Sequence, residues 1–166
     1  MGQKHTVSYL ATIGADFAKK ETTVNFRGQE YLVESLIWDL AGQEAYKVVR
    51  AAFYEGASGA LLVVDISRKE TFINTDKWIE ELWTNNGNGP IPFVILANKS
   101  DLREKNSTGI LSKDETEELA RNIREKASNQ AQFKFSFLET SAIDGINVDE
   151  AFDVLLKEIL ERTSDD

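Results

Sequence analysis

Apolar residues along this chain recur with two different spacings, and the changes of spacing mark out its elements. Residues 19–26 and 31–38 are strand-like runs joined by Arg27, Gly28, Gln29 and Glu30, a polar turn carrying a glycine, so the chain is expected to open with a hairpin. Residues 59–66 (GALLVVDI) and 91–97 (IPFVILA) are almost continuously apolar and β-branched. Strands covered on both faces of a parallel sheet read this way. In residues 133–138, Phe133, Phe135 and Phe137 alternate with Lys134 and Ser136, the period of a half-buried edge strand whose phenylalanines pack in the core.

Between the strands the period lengthens to that of a helix. Ser67 with Glu70, Ser112 with Glu115 and Asn147 with Glu150 each set a capping side chain three residues before a carboxylate, which predicts three helix starts. The last helix repeats Val148, Ala151, Phe152, Leu155, Leu156, Ile159 and Leu160 on one face, which must dock on the sheet. Loops at 85–89 and 104–109 separate elements without dividing the chain, and there is no internal repeat. The alternation predicts a single α/β domain over residues 1–166: a doubly wound, mostly parallel sheet with one antiparallel hairpin strand, in three layers. Ligands of such folds bind beyond the carboxyl ends of the strands.

Composition narrows the function. The 166 residues are 42% hydrophobic and 28% charged, ordinary for one folded domain. With 19 basic against 28 acidic side chains the formal charge is -9, and no basic cluster stands out. Nucleic acid is therefore not an expected partner. The chain has no cysteine, which excludes disulfides, thiolate metal sites and cysteine nucleophiles and agrees with a cytoplasmic setting. No apolar run reaches the roughly 20 residues that span a bilayer. Met1, Gly2 and Thr6 fit a short myristoylation pattern that chance also produces, and residues 162–166 offer no cysteine to prenylate, so no lipid anchor is expected.

Three short segments carry chemistry. Asn98, Lys99, Ser100 and Asp101 follow a strand. A carboxylate at Asp101 can accept hydrogen bonds from N1–H and the 2-amino group of guanine, where adenine presents no matching donors, and the mismatch would leave a buried charge unpaired. The Lys99 stem can lie along the purine face, Asn98 can tie loops together, and the backbone N–H groups of Ser141 and Ala142 can reach the base oxygen. A salt-bridged loop without a ligand is the plainer alternative. In the second segment, Asp39, Leu40, Ala41, Gly42, Gln43 and Glu44, a glycine lets a backbone N–H approach a phosphate, the aspartate can hold magnesium through water, and the glutamine can orient an attacking water. A strand-to-helix turn needs no more than the same residues. The third is Thr12, Ile13, Gly14, Ala15, Asp16 and Phe17, where the Thr12 hydroxyl can ligate magnesium.

Taken in order, these segments, together with FYEGASGALLVVD at 53–65 and ETSA at 139–142, resemble the Ras superfamily of small GTPases, Rab-like members included. The resemblance covers essentially the whole chain and implies the P-loop nucleotide-hydrolase fold, GTP and GDP as ligands, and Mg2+. It implies Thr12 and Asp39 for the metal, Gly42 with Thr12 for the γ-phosphate, and Gln43 as the catalytic, water-positioning residue. Asn98, Lys99, Asp101, Ser141 and Ala142 are implied for the base. Protein effectors and regulators are expected on regions 12–17 and 42–54, where Phe17, Trp38 and Tyr54 are similar to an aromatic trio of Rab-like members; ordinary packing explains three aromatics equally well. Ile143 stands where the family commonly has lysine.

One departure is larger. No Gly-Lys pair, and hence no G-x-x-x-x-G-K-[ST] phosphate loop, occurs in the 166 residues. That loop supplies a nest of N–H groups, a lysine and a metal-binding hydroxyl, so the chain alone is expected not to hydrolyse GTP. Its accompanying strand is central in the family, so the domain is expected to be N-terminally incomplete, with strand edges left open. A longer natural chain, a partner supplying the segment and a strand-exchanged dimer are the three expected remedies. A non-hydrolysing interaction module on the same fold is the competing reading.

Overall fold

The computed structural model describes residues 15–40, 42–105, 108–131 and 133–164, so the expectations placed on Met1, Gly2, Thr6 and Thr12 fall outside the described residues. Strands β1 (Ala15–Phe26) and β2 (Gln29–Leu40) pair antiparallel over twelve residues, from Ala15 opposite Leu40 to Phe26 opposite Gln29. The connection is tighter than the four-residue turn expected: only Arg27 and Gly28 lie outside the ladder, at φ 51° and 78°. Two consecutive left-handed residues match the twist of the flanking strands, and glycine accepts that conformation without strain. Along the hairpin, Val24 and Phe26 turn inward while Leu32 and Leu36 face outward.

The remaining strands, β3 (Ala60–Asp65), β4 (Phe93–Asn98) and β5 (Ser136–Glu139), form a parallel sheet in the order β3-β4-β5. Around them run α1 (Lys47–Tyr54), α2 (Lys69–Ile73), α3 (Thr75–Asn85), α4 (Asp101–Glu104), α5 (Lys113–Ala131) and α6 (Val148–Ser164). The run of apolar residues in β4 is explained by its place: Phe93, Ile95 and Ala97 pack toward Ile79 of α3 and Ala120, Ile123 and Ala127 of α5, whereas Val94 and Leu96 pack toward Ala151 and Leu155 of α6. Helices on both faces make the three-layer arrangement expected. The phenylalanines pack in the core as expected, Phe135 stacking on Phe93 at 4.1 Å between ring centres with Phe133 and Phe137 flanking, but the strand begins only at Ser136, so Phe133 and Phe135 lie ahead of it.

Among the described residues the hairpin does not pair with the parallel sheet. No described strand bridges β2 and β3, so each pairs along one edge among the described residues, and Val63 of β3 remains 59% exposed. Instead the hairpin leans on α6, through Lys20 Nζ to Asp149 Oδ1 at 2.8 Å and Arg27 Nη2 to Glu161 Oε1 at 3.1 Å. No helix among the described residues is long and apolar enough to cross a membrane.

Of the three helix starts, the one at Ser112 forms as a reciprocal box: Glu115 N–H donates to Ser112 Oγ at 3.2 Å and Ser112 N–H to Glu115 Oε2 at 2.8 Å. Ser67 is diverted, its hydroxyl donating to Asp65 Oδ1 at 2.6 Å, and α2 begins after Arg68. Asn147, at φ 56°, donates Nδ2 to the carbonyl of Glu139 at 2.7 Å and so ties the start of α6 to the end of β5.

Glu158 of α6 gives the fold an unusual pH dependence. Burial pushes its carboxyl up to about 7 against a partly offsetting hydrogen bond from Ser136, and Oε2 has no partner among the described residues. The folded value lies above the unfolded one near 4.3, so the folded state holds the extra proton. Its stabilisation is complete below about pH 4 and is lost as pH rises through 7. Glu158→Gln is expected to melt at least about 4 °C above the parent at pH 8 and level with it at about pH 3.5, on thermal denaturation at the two values.

Candidate functional site

The parallel register sets Asp65 beside Asn98 and Ala97 beside Glu139, which brings the carboxyl ends of β3, β4 and β5 to one edge. There the chain leaves β4 through Lys99, whose φ of 70° is unusual for a residue with a side chain. This turn aims Asn98 and Asp101 at the segment following β5. Asn98 Oδ1 accepts from the Ala142 N–H at 3.1 Å and from Thr140 Oγ1 at 3.3 Å, while the Ser100 N–H donates to the Thr140 carbonyl at 3.0 Å. Two segments about forty residues apart are thereby stitched into one structure.

Asp101 is the centre of it and is only 4% exposed. Its Oδ1 accepts from Ser141 Oγ at 2.9 Å and its Oδ2 from Lys105 Nζ at 2.8 Å. The hydrogen bond from Lys105 and then that from Ser141 hold this carboxyl below its ordinary range. A carboxylate has about four acceptor positions, so with these two bonds made it can still accept two more from a base edge. Lys99 Nζ meets Asp65 Oδ2 at 2.6 Å. Burial alone would raise the Asp65 carboxyl, but the hydrogen bonds of Lys99 and Ser67 outweigh it and leave it low. A lysine held at its tip presents its methylene stem as a surface.

The backbone donors are disposed differently from the expectation. The Ala142 N–H is engaged by Asn98, and the Ser141 N–H donates to the carbonyl of Ile146 at 3.1 Å. A base oxygen at this edge has to share or replace those bonds. Neither of two surface hollows, about 480 Å³ between α5 and the segment leading into β5 and about 400 Å³ between β1 and α6, includes Asp101.

The second group of expected residues lies where β2 gives way to α1. Asp39 is exposed and stands opposite Asp16 across the hairpin. Gly42 faces Trp78 of α3, and a methyl group built on it would sit 3.8 Å from that ring, an ordinary contact. Gln43 follows in extended conformation, its carbonyl accepting from Arg50 Nη1 at 2.7 Å and from the Tyr46 N–H at 3.0 Å, while its side chain makes no hydrogen bond among the described residues. Thr12 lies outside the described residues.

The aromatic trio needs one correction. Phe17, 66% exposed, and Trp38, 41% exposed, are 5.7 Å apart, and the ring next to Trp38, at 4.7 Å, is Phe53. Tyr54 points the other way, into the cluster with Leu82 and Ile91, where burial and the nearby Glu81 push its hydroxyl up to about 12. Successive residues of a helix diverge by about 100°, so only one of the pair 53 and 54 can face the hairpin.

Sequence reasoning passed over Asp65, Lys105, Arg50 and Glu81. Asp65 closes GALLVVD at the same sheet edge, and its position alone marked it. Arg50 is a lone charge amid Val48, Val49, Ala51, Ala52 and Phe53, a signal for a buried ion pair though not for its partner.

Comparison with known proteins agrees with this geometry. The Ras family model matches residues 1–161. The chain is 38% identical over 154 residues to Ras-related protein RABA1b of Arabidopsis thaliana, covering 93% of this chain and 63% of that protein. It is 38% identical over 149 residues to Ras-related protein Rab2BV of Beta vulgaris, covering 90% and 61%, and 40% identical over 149 residues to RABA5a of Arabidopsis thaliana, covering 90% and 59%. It thus spans about 60% of the length of these curated relatives. With its parallel sheet, its hairpin and its Asn98 to Asp101 turn placed as described, the chain belongs to the Ras family.

Proposed function

We propose that this chain is the body of a guanine-nucleotide switch that hydrolyses GTP to GDP and phosphate, competent once a phosphate-binding loop is supplied. The observation that carries the reading is the bonding of Asn98 and Asp101 to Ala142 and Ser141, which holds a buried carboxylate in place at the tip of a strand. Asp101 reads N1–H and the 2-amino group, Asn98 holds the two loops in register, and the Lys99 stem flanks the base. Ser141 and Ala142 close its far side. Gly42 supports a ligand role, since no packing among the described residues requires a missing side chain there. Its N–H is assigned to the γ-phosphate, with Thr12, and Gln43 to the attacking water.

Magnesium fits what is present. Mg2+ uses few protein ligands, taking the rest from phosphate and water, and the exposed carboxylate of Asp39 is a hard oxygen donor of the right kind. Asp39 would hold the ion through water and Thr12 through its hydroxyl. When bound, the ion neutralises charge on the phosphates. Turnover unaided is expected to be slow, a partner's arginine adding about 10³ to 10⁵ in rate. The exposed Phe17 and Trp38, with the half-buried Phe53 beside them, are assigned to effectors and regulators, and a cytoplasmic setting completes the reading. That same surface favours a second reading, an interaction module that binds protein without hydrolysis. Denaturing the purified protein and identifying the released nucleotide separates the two: GDP or GTP supports the switch, and no nucleotide, even after loading with a phosphate-loop segment present, supports the module.

A further inference from the structure

We propose that Arg50 is a positioning residue for hydrolysis, fixing the backbone of Gln43 against α3 through a buried fork with Glu81; the inference rests on the GTPase reading above. The Gln43 side chain has no hydrogen bond of its own among the described residues, so its placement depends on its main chain. That main chain is held locally by the Tyr46 N–H, at 3.0 Å from the Gln43 carbonyl, and tied to the rest of the fold by one cation. Arg50 Nη1 donates to the Gln43 carbonyl at 2.7 Å, while Nε and Nη2 donate to Glu81 Oε1 and Oε2 at 2.9 and 3.1 Å. The guanidinium also lies over Trp78, 4.6 Å from the ring centre, and Trp78 is the ring that borders Gly42.

The fork is rigid. A guanidinium is planar and delocalised, so once two edges are matched to a carboxylate the direction of the third donor is set. With the Arg50 and Glu81 side chains 1% and 9% exposed, water cannot readily take over either end. The position of the Gln43 carbonyl is therefore coupled to α3, which the stability of an ion pair alone would not require. Lysine, a point donor on a flexible stem, cannot serve carboxylate and carbonyl in this geometry. A displacement of about 1 Å in a water-positioning group costs on the order of 100-fold in rate.

The test uses Arg50→Met/Glu81→Leu, which removes both charges and strands neither, and Arg50→Lys, which keeps the charge and loses the fork. In the nucleotide-competent protein, both variants are expected to bind GDP within about twofold of the parent and to hydrolyse GTP in a single turnover at least about tenfold more slowly. In the 166-residue chain without nucleotide, amides of residues 43–47 are expected to exchange at least about tenfold faster, with amides of β4 unchanged. Unchanged exchange at 43–47, or hydrolysis at the parent's rate, would overturn the proposal. So would a loss of GDP affinity matching the loss of rate, since that marks a merely structural role. Failure of the guanine reading shows separately, as a parent protein that binds no GDP, and the exchange comparison then still decides whether Arg50 holds Gln43.

Discussion

Asp101→Asn is expected to cost the protein at least about 100-fold in affinity for GDP and to make the xanthine nucleotide the better ligand. In the proposed reading the carboxylate accepts from two donors on the guanine edge. Asparagine turns one acceptor into an N–H donor that opposes the 2-amino group, whereas xanthine carries an oxygen at that position and pairs with it. The fold should survive the change, because the amide oxygen of the new side chain could still accept from Ser141 Oγ, and Lys105, whose side chain is 58% exposed, can turn to water. Competition binding of GDP and its xanthine counterpart, with melting as the control, reads all three expectations. An equal loss for both nucleotides would point to collapse of the loop, and no loss for either would remove Asp101 from the base site.

Arg50→Ala is the expected extreme among stability changes. It strips a partner from Glu81 and a donor from the Gln43 carbonyl at once, and removing one side of a buried ion pair costs about 3 to 5 kcal/mol. Since folded domains are stable by only about 5 to 15 kcal/mol, the single variant should be marginal at 25 °C. The paired Arg50→Met/Glu81→Leu change should cost less than about 1 to 2 kcal/mol, because no charge is left buried and alone. Urea denaturation of the singles and the double forms the cycle that checks this. Additive losses would mean that the two side chains stand independently and that the fork contributes little.

How far these sites could be foreseen differed from element to element. The β3 and β4 runs announced themselves because a strand covered on both faces is apolar throughout, whereas the phenylalanine alternation set β5 three residues early, since Phe133 and Phe135 pack in the core from the segment before it. Asn98, Asp101, Ser141 and Ala142 were legible because a sheet's carboxyl edge gathers loops from distant parts of a chain. The hydrogen bonds between them were not, and the Ser141 and Ala142 N–H groups turned out to be engaged inside the protein. Likewise the third aromatic was misplaced by one residue, since two adjacent aromatics on a helix differ only in which way the helix is rotated.

The family, the alternation of strands and helices and the types of residue gathered at the sheet's carboxyl edge were determined by sequence alone, because periodicity and short motifs are local properties that need no knowledge of neighbours. Which cation holds Gln43, which aromatic meets Trp38 and what engages Asp101 were decided by tertiary structure. Each depends on a contact between segments far apart in the chain, such as Arg50 with Glu81 and Ser141 with Asp101, and the direction of a side chain at such a contact is set by packing that no local pattern encodes.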